Sequence, residues 1–217
     1  MKRVIPFGLG YSPTHVDRFG IWLSSRQIRS AVRDFRGLRV ADIGCSYDDA
    51  LFACTILPEV QSLTLADLAI AEDLTKNPKI RVLEGRLLDS LASWEEGSQD
   101  VVVCNSVIEH LLETLDTLSH LVRICATGGL VLINVPTCRR KWFLEFAAFR
   151  LGVAPEAEMD DHKMYYDPPD LWPLLVRSGF QPKNIKLFKH KFGLVTFAIC
   201  SKTATAFSIV DHSQVAD

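Results

Sequence analysis

The chain reads as an α/β domain built on a doubly wound, mostly parallel sheet with helices on both faces, and three observations predict it. Short β-branched or leucine-rich runs alternate with longer helical patterns, the arrangement that places crossover helices between parallel strands. One run, Asp100–Asn105 (DVVVCN), is apolar at consecutive positions, as a strand covered on both faces must be. The last two runs, Lys183–Lys189 and Leu194–Cys200, are separated only by HKFG, too short for a crossover, so they pair antiparallel.

In chain order, Phe19, Trp22, Leu23, Gln27, Ile28, Ala31 and Val32 fall at helical spacing between Asp17 and Phe35, which predicts a leading amphipathic helix. Arg39–Ile43, Ser62–Ala66, Ile80–Leu83 and Asp100–Asn105 are the first four strands. Leu130–Val135 is the fifth, preceded by a helix at Leu115–Cys125 that Thr127, Gly128 and Gly129 end. Asp170–Ser178 is a further helix with Gly179 as its stop. The preceding YDPPD, Tyr166–Asp170, looks like the Asp-Pro-Pro of adenine- or glutamine-directed enzymes, but it does not follow the fourth strand. It reads as helix initiation, because proline suits a first turn. With the two closing strands, the count is seven.

At 217 residues the chain is long enough to bury its own core. The pattern predicts one domain over residues 1–200, with residues 1–37 as a helical lid, residues 138–168 as an insert capping a substrate pocket, and a polar tail over residues 201–217. A net charge of −2 with interspersed signs gives no broad basic face for nucleic-acid phosphates. The six cysteines show no C-x-x-C pair and sit mostly in apolar runs, as reduced, buried thiols of a cytoplasmic protein do. Pro6, Gly8 and Gly10 interrupt the start before a signal-peptide core forms, and no run approaches the roughly 20 apolar residues of a membrane span.

In such sheets ligands bind beyond the carboxyl ends of the strands. After the first strand come Asp42, Gly44, Cys45, Ser46, Tyr47 and Asp48, with a helix expected to begin near Asp48. Gly44 permits a tight turn and close approach of a ligand. Asp67, with Leu68 beside it, follows the second strand; a carboxylate about 20 residues past the turn suits the paired hydroxyls of a ribose. A dinucleotide would want the G-x-G-x-x-G turn to rest its pyrophosphate on a helix. Here the glycines are missing, and Asp48 and Asp49 stand where phosphates would lie. That disfavours an NAD-dependent oxidoreductase and leaves room for a sulfonium cofactor with an ammonium group.

On these motifs the chain resembles the class I S-adenosylmethionine-dependent methyltransferases, of Rossmann-like fold, in the small-molecule group that includes the ubiquinone-biosynthesis type. DIGCSYD matches the acidic glycine loop, with Ser46 and Asp48 in place of two glycines, and LADL supplies the ribose acid. LEGRLLDSLASWEEGSQDVVVCNSVIEHL matches the third-to-fourth strand region with its terminal Glu-His. ATGGLVLINVP and HKMYYDPPDLWPLLVRSGF match the segments that follow. The likeness covers residues 38–200.

The resemblance implies S-adenosyl-L-methionine as cofactor and a set of roles. Asp67 would bind the ribose. Asp42 would assist the methionine ammonium, or else is a buried carboxylate that only ties down the loop. Asn105 and Ser106 would line the reactive side, and Arg86 and Leu87 the adenine side. Methyl transfer needs orientation and, for a hydroxyl acceptor, a base; His110 and His162 are the candidates, each with packing or capping as the plainer reading. No carboxylate cluster has metal spacing, so transfer is expected to be metal-independent. The acceptor is expected to be a small molecule, a glycan or a lipid intermediate. Within the insert, the apolar Trp142–Leu151 follows Arg139, Arg140 and Lys141, as a cap over the acceptor or a membrane-surface contact. A non-catalytic binding protein on the same fold is the alternative that the missing glycines motivate.

Overall fold

The structure, a computed structural model, describes residues 15–46, 53–140 and 164–203. All seven expected strands form: β1 (Arg39–Ile43), β2 (Ser62–Asp67), β3 (Ile80–Glu84), β4 (Gln99–Asn105), β5 (Cys125–Pro136), β6 (Ile185–His190) and β7 (Val195–Ser201). They make one sheet in the order β3-β2-β1-β4-β5-β7-β6. Pairings are parallel from β3 through β5, and β7 is antiparallel to both of its neighbours. The chain starts in the middle, at β1, builds outward to β3, and returns to β4 on the other side of β1. The order therefore reverses between β1 and β4, which opens a crevice at their carboxyl ends.

Both faces are buried, which is why the central strands carry unbroken apolar runs. Ala41, Ile43, Val102, Cys104, Val131 and Ile133 point into one core layer, together with Leu91, Leu118, Leu121, Leu171 and Leu175. Those leucines come from helices α4 (Leu87–Ala92), α5 (Thr114–Ile124) and α6 (Pro168–Arg177). The alternate residues Val40, Leu63, Leu65, Val101, Val103 and Leu132 meet Ile28, Ala53 and Ile56 in the second layer, with Leu74 packed against it. Those four belong to α1 (His15–Val32), α2 (Ala53–Ile56) and α3 (Glu72–Thr75).

The differences from the sequence expectations are local. The leading helix was expected to reach Phe35 but ends at Val32, because Arg33 takes a left-handed conformation (φ 62°) while its amide closes a last bond to the Arg29 carbonyl at 2.9 Å. Phe35 is buried all the same. The Thr127-Gly128-Gly129 stretch does not cap α5. β5 begins at Cys125, directly after the helix, and the glycines lie inside the strand, where Gly128 (φ +84°) donates to the Lys202 carbonyl at 2.6 Å. A Cβ on Gly129 would lie 2.7 Å from the Asp100 carbonyl oxygen, so neighbouring backbone fills that space. The proline pair does open α6: Pro168 starts it, and the Asp170 carboxylate accepts the Asp167 amide at 3.0 Å. No described helix is long and apolar enough to cross a membrane. The helix start near Asp48, Trp142–Leu151 and tail residues 204–217 lie outside the described residues.

Candidate active site

Because β1, β2, β4 and β5 are parallel, their carboxyl ends share one edge, and the residues singled out after them come together there. Gly44 leaves β1 in a left-handed conformation (φ +68°), and its amide donates to the Ala66 carbonyl of β2 at 2.7 Å. A Cβ at Gly44 would stand 2.2 Å from Val107 Cγ2. Both the dihedral and the space restrict this position to glycine. Ser46 is also left-handed, at φ 67°, so it adopts the path a glycine would take even though it carries a side chain. Its amide is held by Asp67 Oδ2 at 2.8 Å, and its hydroxyl donates to the Cys45 carbonyl. Cys45 itself is buried. Asp67 Oδ1 accepts the Leu68 amide at 2.6 Å. The Asp67 carboxylate is thus oriented by backbone on both oxygens.

Beside it, Asp42 is buried on β1, and its carboxyl is pushed up to about 7, first by burial and then by the charge of Asp67. Two acids converge on this turn, an arrangement that welcomes a cation and opposes a diphosphate.

At the ends of β4 and β5, Asn105 and Asn134 face each other in register. The Asn134 amide nitrogen donates to Asn105 Oδ1 at 2.5 Å and to Ser24 Oγ of α1 at 2.8 Å, which pins the leading helix over the strand ends. Ser106 follows in a left-handed conformation (φ 58°), its amide bound to the Asn134 carbonyl at 2.8 Å. His110 is half-buried at the end of the 3-10 turn Ile108–His110, directly beyond β4. In that turn Glu109 is buried, and its charge helps raise the Cys104 thiol and the Tyr166 hydroxyl, for both of which burial is the larger cause.

The adenine-side pair divides. Leu87 packs against the core layer beneath α4. Arg86 is exposed and reaches instead to Glu113 Oε1 at 3.0 Å, joining the loop after β3 to the start of α5. Tyr47 and His162 lie outside the described residues. Val107, Asn134, Ser24 and Glu113 were not anticipated. Of these, Asn134 carries a signal in the sequence, a lone amide within the apolar LVLINV.

A family model described as "Methyltransferase domain" matches residues 18–184. The ubiquinone biosynthesis O-methyltransferase of Rickettsia bellii (strain OSU 85-389) is 23% identical over 171 residues, covering 74% of this chain and 68% of that protein. Among solved structures, the CurJ carbon methyltransferase superposes with a TM-score of 0.62 at 16% identity, over 89% of this chain and 57% of that one. A third similar protein is the 1,6-didemethyltoxoflavin-N1-methyltransferase of Burkholderia thailandensis, solved with S-adenosylhomocysteine bound. It gives a TM-score of 0.61 at 13% identity, over 87% of this chain and 80% of that one. By their names these three proteins methylate oxygen, carbon and nitrogen, so the shared fold does not fix the acceptor atom. With the matched model spanning most of the sequence and the sheet order, glycine turn and strand-end acid all in place, the chain belongs to the methyltransferase domain family, as a class I enzyme that uses S-adenosylmethionine.

Proposed function

We propose that the chain transfers a methyl group to a small-molecule acceptor by in-line displacement at the crevice beyond β1, β4 and β5. The observation that carries this reading is the glycine-only turn locked to the Asp67 carboxylate, with Asp42 buried behind it. These residues fit the cofactor. The left-handed turn at Gly44 carries the chain to the Ser46 amide that holds Asp67, and the oriented Asp67 oxygens suit the two ribose hydroxyls. Asp42, desolvated beside a like charge, would take the ammonium directly or through a water. The turn residues Cys45, Ser46 and Tyr47 would flank the methionine half, Asn105 and Ser106 the reactive side, and Leu68 the adenine side, with Arg86 held by Glu113 and Leu87 by the core.

When bound, the cofactor supplies a methyl carbon already activated by its sulfonium. What the chain contributes is therefore alignment and exclusion of water rather than Lewis acidity. α1, tied by Ser24 to Asn134, serves as the lid over the strand ends. The curated relative named above is an O-methyltransferase, and that supports a hydroxyl acceptor. For such an acceptor His110 is the base we assign among the described residues, taking the hydroxyl proton as the C–O bond forms. His162 is assigned as the second candidate by sequence position alone. Metal-independent transfer and a cytoplasmic setting complete the proposal.

The test is transfer of label from methyl-tritiated S-adenosylmethionine into a small-molecule extract of cells lacking this protein, compared with Asp67→Ala. Label in the extract that depends on Asp67 supports the reading. Equal incorporation with the variant, or none with either, contradicts it.

A further inference from the structure

Asn105 ends β4, and Asn134 lies opposite it on β5. Val103 and Leu132, two residues earlier on each strand, pack with Ile28 of α1 in the second core layer, so by strand alternation both asparagines face α1. Asn134 is buried, and both hydrogens of its amide are engaged: Nδ2 donates to Asn105 Oδ1 at 2.5 Å and to Ser24 Oγ at 2.8 Å. Its Oδ1 is enclosed and has no partner among the described residues.

This fixes which way the two amides point. Turning Asn134 over alone would set its oxygen against the Asn105 oxygen. Turning both over would restore the contacts, with Asn134 accepting from Ser24 and from Asn105, but would put an NH2 group with two unpaired hydrogens in the enclosed position that Oδ1 now holds. Proteins tolerate a buried N–H without an acceptor less often than a carbonyl oxygen without a donor. The observed arrangement is therefore the favoured one, and it directs Asn105 Oδ1 inward.

What Asn105 has left is its NH2 group. The residue is half-buried, and its Nδ2 is neither enclosed nor bonded to another described residue. Two N–H donors thus stand open at the end of β4, and no acceptor of that side chain does.

We propose that Asn105 donates a hydrogen bond to the oxygen that receives the methyl group, and that Asn134 is the positioning residue that keeps it a donor. The identity of the acceptor rests on the methyltransferase reading, whereas the amide orientation stands on the geometry. As the oxygen gives its proton to the base and one lone pair forms the C–O bond, the methyl carbon releasing its bonding pair to the departing sulfur, a second lone pair accepts from Asn105. A primary amine in the same place has a single lone pair, which the methyl carbon takes, and turns only N–H groups toward Asn105. Donor then meets donor, so the pair selects oxygen over nitrogen.

The orientation is read in the ligand-free full chain, from solvent exchange of the asparagine side-chain amide protons. Those of Asn134 should exchange at least about tenfold more slowly than those of Asn105; equal rates or the reverse order overturn the proposal. Asn105→Asp keeps an oxygen for Asn134 Nδ2 and replaces the open NH2 group by a second oxygen. It should keep a cooperative melting transition while the initial rate in the labelling assay falls about 10- to 100-fold, and transfer at the wild-type rate overturns the donor role. Asn134→Leu should lower transfer at least about tenfold with S-adenosylhomocysteine affinity kept within about twofold; a merely structural Asn134 would lower both together or neither. The labelled product is then heated in hydriodic acid under conditions that cleave O-methyl but not N-methyl or C-methyl bonds. Label released as volatile methyl iodide supports the oxygen acceptor, and retained label overturns it while leaving methyl transfer standing. No label with the wild type overturns the acceptor half together with the methyltransferase reading, while the exchange rates still decide the amide orientation.

Discussion

Replacing Gly44 by alanine is the sharpest test of why the turn is built as it is. The new Cβ would stand 2.2 Å from Val107 Cγ2, 3.3 Å from Cγ1 and 3.4 Å from Cβ. Ordinary carbon contacts are about 3.5–4.0 Å, so one methyl must retreat by more than about 1 Å from a site walled by core residues. Overpacking of that kind costs about 1–3 kcal/mol, and holding alanine left-handed adds about 1 kcal/mol. The expected loss is about 2–4 kcal/mol, a midpoint lowered by about 5–15 °C in a chain of this length. Val107→Ala deletes both γ-carbons. In that background Gly44→Ala should cost only the backbone part, leaving a favourable coupling of about 1–3 kcal/mol in the double-mutant cycle. Urea unfolding of the four proteins, followed by tryptophan fluorescence, reads it. A loss of about 1 kcal/mol or less in the single variant, or no recovery with Val107→Ala, would refute the steric reasoning.

Three further outcomes follow. The Asp42 carboxyl is raised from 3.8 to about 7, so its contribution to stability is full below pH 3.8 and is lost as pH rises through 7. Asp42→Asn should therefore stabilise the ligand-free protein more at pH 8 than at pH 5, by on the order of 2 kcal/mol, while weakening cofactor binding; melting curves across that range check it. Asn134→Ala leaves Ser24 and Asn105 without their shared donor and should cost about 1–3 kcal/mol, with hydrogen-exchange protection lost first in α1. The Arg86–Glu113 pair is 58% and 45% exposed, so Arg86→Ala should change stability by less than about 1 kcal/mol; a larger drop in the urea midpoint would show the pair to be structural.

Strand positions were legible because apolar runs and β-branching report burial directly. β1 was expected at Arg39–Ile43 and forms there, and the remaining strands shift by a residue or two except at the start of β5. That start was missed because two glycines after a helix signal a cap, whereas here the antiparallel β7 extends the ladder back to Gly128 through Lys202. The short helices α3 and α4 have too few turns for a periodic signal. At the site, Asp42, Gly44, Asp67 and Asn105 were placed by their rank after each strand, since parallel strands bring those positions to one edge. Arg86 was assigned by its place in the loop, and the competing attraction of Glu113, 27 residues away, is invisible without the fold. The contact of Gly44 with Val107 depends likewise on which loops pack together, information that no local pattern holds.

The central claim is that Asp67, clamped by the Ser46 and Leu68 amides, grips the cofactor through its ribose. Calorimetric titration of S-adenosylhomocysteine into the wild type and Asp67→Asn, at matched pH and salt, measures that directly. One site per chain in the wild type, weakened about 10- to 100-fold in the variant, is the predicted result. Equal affinities, or no heat of binding at millimolar ligand in the wild type, would contradict it.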